Sequence, residues 1–312
     1  WNAWRKRRFG QATADLMEPP AVNESAEANE FASEVMRDYH RTLRDHLHVI
    51  GVKVPITGHN SPYHTPDIKA QEEMDFVSLH YYYELQSFGP NRPEFRIPPG
   101  KGTAFSHIAA TKVAGKPYIL TEYNFPWAND YRCEGMPLIA AYLSLADYDG
   151  VLHFAFTGGW GMNYEDWDAK YPMIFWHTQM PNDPPLWGQF RSGAAMFLGG
   201  AILPSKLVAC VDYTASNSFL PWAEEDFSAY GHLPFLMRVE RRFFDAKTPL
   251  SYKPDFHLTP ATGIDAFAAS LEGERETLGK KIKGMIADKF LTSDTGEIHF
   301  DYATGVLTIN AP

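Results

Sequence analysis

The sequence predicts an α/β protein built on a parallel sheet, followed by a smaller, mostly β region. Three observations carry that expectation. Helix-like and strand-like segments alternate through the first part of the chain. The strand-like runs there are almost continuously apolar, as strands covered on both faces must be. From about residue 200 the texture changes to short alternating runs. The division falls between residues 1–199 and 200–312.

Taken in order, the chain opens with a helix carrying Trp1, Trp4 and the basic run Arg5-Lys6-Arg7-Arg8. Residues 27 to 50 then place Phe31, Val35, Met36, Tyr39, Leu43, Leu47 and Ile50 three and four apart with charges between them. That spacing predicts an amphipathic helix. Gly51 stops it, and the β-branched run Val52 to Gly58 predicts a strand ending in His59 and Asn60. Three further strands are predicted. Met74 to Leu79 ends in His80-Tyr81, Pro117 to Thr121 ends in Glu122-Tyr123-Asn124, and Gly150 to Phe156 ends in Thr157-Gly158-Gly159-Trp160. Helical segments around Phe105 to Val113 and Leu138 to Leu145 separate the later strands. The loop from Phe88 to Gly102 holds four prolines and is expected at the surface. In the later region Leu207 to Val211, Phe235 to Val239, Ile298 to Phe300 and Val306 to Ile309 read as strands.

Composition bounds the function. The chain has 312 residues, 45% hydrophobic and 14% aromatic, enough for a sizeable core, which excludes disordered and collagen-like classes. Lys and Arg number 28 against 38 Asp and Glu, a net charge of −10, so no global field draws the chain to nucleic acid. Two cysteines, Cys133 and Cys210, are too few for a disulfide framework or a four-thiolate metal site. No run approaches the roughly 18 apolar residues of a membrane helix, and no membrane partner is expected. The Trp at position 1 and the end at Pro312, just past a strand, lead to the expectation that the chain is part of a longer protein. Export to the periplasm or medium is weakly indicated.

In parallel α/β proteins function gathers at the carboxyl ends of the strands. Glu122 is the carboxylate that immediately ends a buried-looking strand, and His80, Tyr81, Tyr123 and Asn124 could supply the hydrogen bonds that keep it ionised. A structural, ion-paired Glu would suit the same position. Aromatic residues crowd these strand ends. Flat rings beside carboxylates and amides suit a sugar, whose ring has apolar faces. Trp127 and Trp160, in loop-like sequence, are the stronger ligand candidates, while Phe154 and Phe156 suit the core. Other motifs carry less. His59 and His64 lack an acidic partner at metal-ligand spacing. Arg5 to Arg8 reads as a solvated helix face. Gly158-Gly159 and Gly199-Gly200 lack phosphate-loop context.

The runs Tyr118 to Asn124, Tyr131-Arg132-Cys133-Glu134-Gly135 and Tyr148-Asp149-Gly150, with the opening Trp1 to Gly10, resemble clan A retaining glycoside hydrolases, the cellulase-like and β-galactosidase-like (β/α)8 TIM barrels. The resemblance spans roughly residues 1 to 200. It implies that the chain holds barrel strands five to eight, with Gly51 to Asn60 as strand five. It also implies Glu122 as nucleophile, His80 and Tyr81 supporting it, and Asn60, Tyr123, Asn124, Trp127 and Trp160 contacting substrate. The family's acid/base follows an Asn at the end of strand four, a position this register puts upstream of Trp1. Asn23-Glu24 and Asn29-Glu30 reproduce the letters but sit in or just ahead of the charged helix, and neither takes the role. The implied activity is hydrolysis of O-glycosidic bonds in an oligo- or polysaccharide by double displacement, with no metal or organic cofactor. A carbohydrate-binding or inactive relative is the alternative. The region after residue 200 resembles an accessory β domain.

Overall fold

The computed structural model describes residues 1–10, 21–83, 103–126, 129–156, 180, 183–221 and 224–311. The proline-rich loop, Trp127 and Trp160 lie outside the described residues.

Helix α1 spans Asn2–Phe9 and helix α2 spans Ala26–Val49. Ser25 caps α2 by accepting the amide of Ala28 at 3.1 Å. Gly51, with φ +99°, takes the left-handed conformation that lets the chain turn away beyond its end. The predicted apolar stripe of α2 is only partly covered. Val35, Tyr39 and Leu43 are exposed, and the residues it buries are Ala28, Asn29, Ser33 and His40.

The segment from Val52 to Asn60, expected as a strand, forms none. It runs beside the next strand through scattered bonds. Ile56 and Asp75 exchange contacts at 2.8 and 3.0 Å, and Thr57 Oγ1 donates to Phe76 O at 3.0 Å. Pro55 removes a donor from the middle of the run, which suits an irregular edge rather than a ladder.

Strands β1 (Val77–Tyr82), β2 (Tyr118–Asn124) and β3 (Gly150–His153) form a parallel sheet in that order. This bears on the barrel expectation. The sheet is three-stranded and open, and no closed barrel is seen among the described residues. Helices α3 (Thr65–Ala70), α4 (Ala104–Ala109), α5 (Gly135–Leu145) and α6 (Pro184–Leu198) accompany it. Leu79, Tyr118, Leu120 and Tyr123 from one face of the sheet share a core with Phe105, Ile108, Leu138 and Tyr142 of α4 and α5.

Residues 200–312, expected to be mostly β, are mixed. Strands β4 (Val208–Tyr213), β5 (Arg238–Phe243) and β6 (Phe256–Leu258) form a second parallel sheet in the order β5-β4-β6. Helices α7 (Ile264–Ser270) and α8 (Glu276–Asp288) follow, then an antiparallel sheet of β7 (Phe290–Thr292), β8 (Ile298–Asp301) and β9 (Val306–Ile309). Short 3-10 turns at Ser228–Tyr230 and Leu233–Phe235 lie within the β4–β5 crossover. Such turns leave no 3.6-residue periodicity to read.

One apolar core crosses the 199/200 division. Phe235 packs on Phe105, Tyr142 and Phe300, with ring centroids 5.5, 4.9 and 5.4 Å away. Main-chain bonds Ala114 N to Arg241 O (2.9 Å) and Arg241 N to Lys112 O (2.8 Å) tie the two parts together. The side chain of Arg241 is fully buried. It donates to Thr65 Oγ1 at 2.9 Å and lies over the rings of Tyr213 and Tyr230, while Glu225 accepts the amide of Thr65.

Two outcomes follow from these contacts. Arg241→Met removes the buried charge that acts on the Glu225 carboxylate and the donor to Thr65 Oγ1, and a lost hydrogen bond of a charged group costs about 1.5–3 kcal/mol. Urea unfolding should show a loss of that order, and adding Glu225→Gln should recover part of it. His59 stacks on His40 with centroids 5.4 Å apart. Burial, with His40 adding to it, pushes the His59 imidazole down from 6.5 to about 4. Folding therefore favours the neutral ring, so its contribution is whole above about pH 6.5 and is lost as pH falls toward 4. Discounted for partial exposure, the loss is about 1–2 kcal/mol. Melting temperatures between pH 7 and 4.5 should fall less steeply for His59→Phe than for the parent.

Candidate functional site

The site starts from an irregularity in pairing. Leu79 of β1 lies opposite Leu120 of β2, but the next pair is His80 with Glu122, because the register shifts there. Thr121 is passed over, and its hydroxyl donates to Leu79 O at 3.3 Å. A bulge of this kind re-aims the side chain that follows. Here it puts the Glu122 carboxylate beside the His80 ring at the carboxyl end of the central strand.

His80 Nδ1 lies 3.1 Å from Glu122 Oε2, and the side chains are 20% and 25% exposed. The hydroxyl of Tyr82 donates to the same oxygen. His80 and Tyr82 are two apart on β1, so both face Glu122. The main chain of His80 is held on both sides. Its amide donates to Asn60 O at 2.7 Å, and its carbonyl accepts the Tyr63 hydroxyl at 3.0 Å. Phe154 meets the Tyr82 ring edge-on, with centroids 6.1 Å apart.

Burial pushes the His80 imidazole below its ordinary value, with the Glu122 charge acting in the opposite sense. Burial and the bond to Glu122 push the Tyr82 phenol far up. Tyr82 therefore stays protonated at neutral pH and donates. The arrangement holds one carboxylate oxygen. Oε1 takes no partner among the described residues.

The remaining predicted residues separate. Tyr81 points to the other face of β1, its ring centroid 6.0 Å from His107. There it lines a cavity of about 360 Å³ with Tyr63, His64, Ser106 and Arg241. Tyr82, not Tyr81, makes the bond to the carboxylate that was expected of this strand end. Tyr123 is fully buried and donates to Gly135 O at 3.1 Å. Asn124 is likewise buried, its amide on Phe154 O at 2.7 Å. Both support the strand end rather than meet a substrate, Tyr123 within the core shared with α4 and α5 and Asn124 through its bond to Phe154 O. Asn60 is exposed, and its main chain borders His80. Tyr82 was missed, although period two from His80 pointed to it.

Among the described residues, no second carboxylate joins this cluster. Glu24 accepts the amide of Ala21, Glu30 pairs with Arg8 at 2.8 Å, and Asn29 donates to the carbonyls of Phe219 and Leu220. Among the described residues, three metal-ligating donors converge only at Cys210, Asp212 and His257, far along the chain from Glu122. No family model, curated protein or solved structure matches this chain.

Proposed function

We propose that Glu122 is the nucleophile of a retaining glycoside hydrolase acting on an oligo- or polysaccharide. The observation that carries the reading is a carboxylate at the carboxyl end of a central parallel strand, one oxygen held by Tyr82 and set beside His80, the other without a partner among the described residues. In this chemistry Glu122 Oε1 attacks the anomeric carbon as the glycosidic C–O bond breaks, and a second carboxylic acid protonates the departing oxygen. A covalent glycosyl ester forms, which water then hydrolyses with that second group acting as base. The two carboxyls of such a pair lie about 5–5.5 Å apart. Tyr82 donates to the ionised carboxylate, and its hydrogen bond orients the attacking group. Without turnover, the same strand end would serve a carbohydrate-binding protein.

The nucleophile can be tested independently of the acid/base. A 2-deoxy-2-fluoro glycoside with a dinitrophenyl leaving group departs unprotonated. A panel of such sugars should label the peptide holding Thr121 to Asn124, and Glu122→Gln should abolish the label. Attachment at another carboxylate would sink the assignment. Sugar binding by calorimetry without any label would favour the non-catalytic reading.

Tyr82 separates a positioning role from a packing one. A hydrogen bond to a charged group is worth about 1.5–3 kcal/mol, so Tyr82→Phe should slow glycosylation about ten- to a hundredfold. The melting temperature should change little, and Tyr81→Phe should leave the labelling rate near that of the parent. Equal rates for both variants would remove Tyr82 from the site.

A further inference from the structure

The second parallel sheet has two unlike faces. Ala209, Val211 and Tyr213 of β4 enter the core, while Cys210 and Asp212, between them, face the other way. Parallel register sets Cys210 opposite His257 on β6, so thiol, carboxylate and imidazole share one face. Their ligating atoms all lie within 4.8 Å of one another. Cys210 Sγ is 3.6 Å from Asp212 Oδ1, and His257 Nδ1 is 2.8 Å from Asp212 Oδ2.

We propose that Cys210, Asp212 and His257 form a binding site for a thiophilic divalent cation of the zinc class. Tetrahedral coordination at ordinary bond lengths separates sulfur from oxygen by about 3.6 Å and nitrogen from oxygen by about 3.4 Å. The thiol stands at that separation from Oδ1, while the imidazole is hydrogen-bonded to Oδ2, so the carboxylate has to turn and the ring move outward for one oxygen, the sulfur and the nitrogen to share a metal. Thiolate and carboxylate together carry two negative charges, which a dication neutralises, and sulfur with imidazole selects the zinc class over magnesium or calcium. On binding, the thiol proton leaves to solvent, and the ring proton of His257 moves to Nε2 so that Nδ1 can ligate. One proton is released per cation. Glu240, aligned with Cys210 on β5, adds negative charge but is engaged by Arg238 and Tyr252. Arg242, aligned with Asp212, opposes the cation.

A nucleophilic cysteine fits the same residues less well. Asp212 touches both the thiol and the imidazole, so it separates His257 from the proton it would have to take. Burial and Asp212 push the Cys210 thiol up to about 12, the reverse of an activated cysteine. The side chains of His257 and Asp212 are 56% and 44% exposed, so a cation reaches the site from solvent and keeps an open fourth position. The three-residue strand β6 would be cross-linked to β4.

The experiment uses the whole chain with Cys133→Ser, because Cys133 is exposed and is the only other thiol. Titration with cobalt(II) should produce a near-ultraviolet thiolate-to-cobalt band that zinc(II) displaces, and zinc should raise the melting temperature. Cys210→Ser should remove the band. His257→Ala and Asp212→Asn, at exposed positions where folding is safe, should each weaken cobalt binding by more than about tenfold. No charge-transfer band at millimolar cobalt, or an affinity unchanged in both His257→Ala and Asp212→Asn, would overturn the site.

Discussion

The packing of Phe235 against Phe105, Tyr142 and Phe300 is the contact on which the rest of the structure hangs. Phe105 and Tyr142 belong to α4 and α5, the helices that cover one face of the first sheet, while Phe235 and Phe300 come from beyond residue 200. A buried phenylalanine is worth about 3–5 kcal/mol when truncated, so a cluster of four rings outweighs any single surface ion pair here. With that face committed to the core, period-two alternation sends His80 and Tyr82 to the other side. The candidate site is thus a consequence of where the aromatic residues are buried.

The two sheets solve similar problems in different ways. In the first, a register shift after Leu79 spends one residue, Thr121, to bring a carboxylate beside an imidazole and a phenol. In the second, β4 and β5 pair without a shift, and Cys210, Glu240 and His257 line up across three strands. Both clusters lie on the face turned away from the shared core. On those faces Glu122, Asp212 and His257 keep partial exposure, while Cys210 is buried.

Arg241 is the exception, a charge placed on the core face. Its cost is offset by Thr65, by two tyrosine rings and by the nearby Glu225. It also bridges the parts on either side of residue 200, so the line drawn there from texture marks a change of pattern rather than a gap in packing.

The amphipathic helix over Ala26–Val49, the strands around Val77, Tyr118 and Gly150, and the prominence of Glu122 were all legible in the sequence, because periodicity and strand-end position are local properties. His80 was legible for the same reason. Tertiary structure decided the rest. Period two put Tyr82 on the face of His80, but the bulge that brings Glu122 to that face is revealed by no spacing. The burial of Tyr123 depended on which face the helices cover, and that of Asn124, on the opposite face, on its bond to Phe154 O. The failure of residues 52–60 to form a strand depended on a proline meeting a neighbour's ladder. The parallel pairing of β4 with β6, which brings Cys210 to His257, joins residues 47 apart in sequence. Alternation along one strand says which residues share a face, but only the pairing of strands says which faces meet.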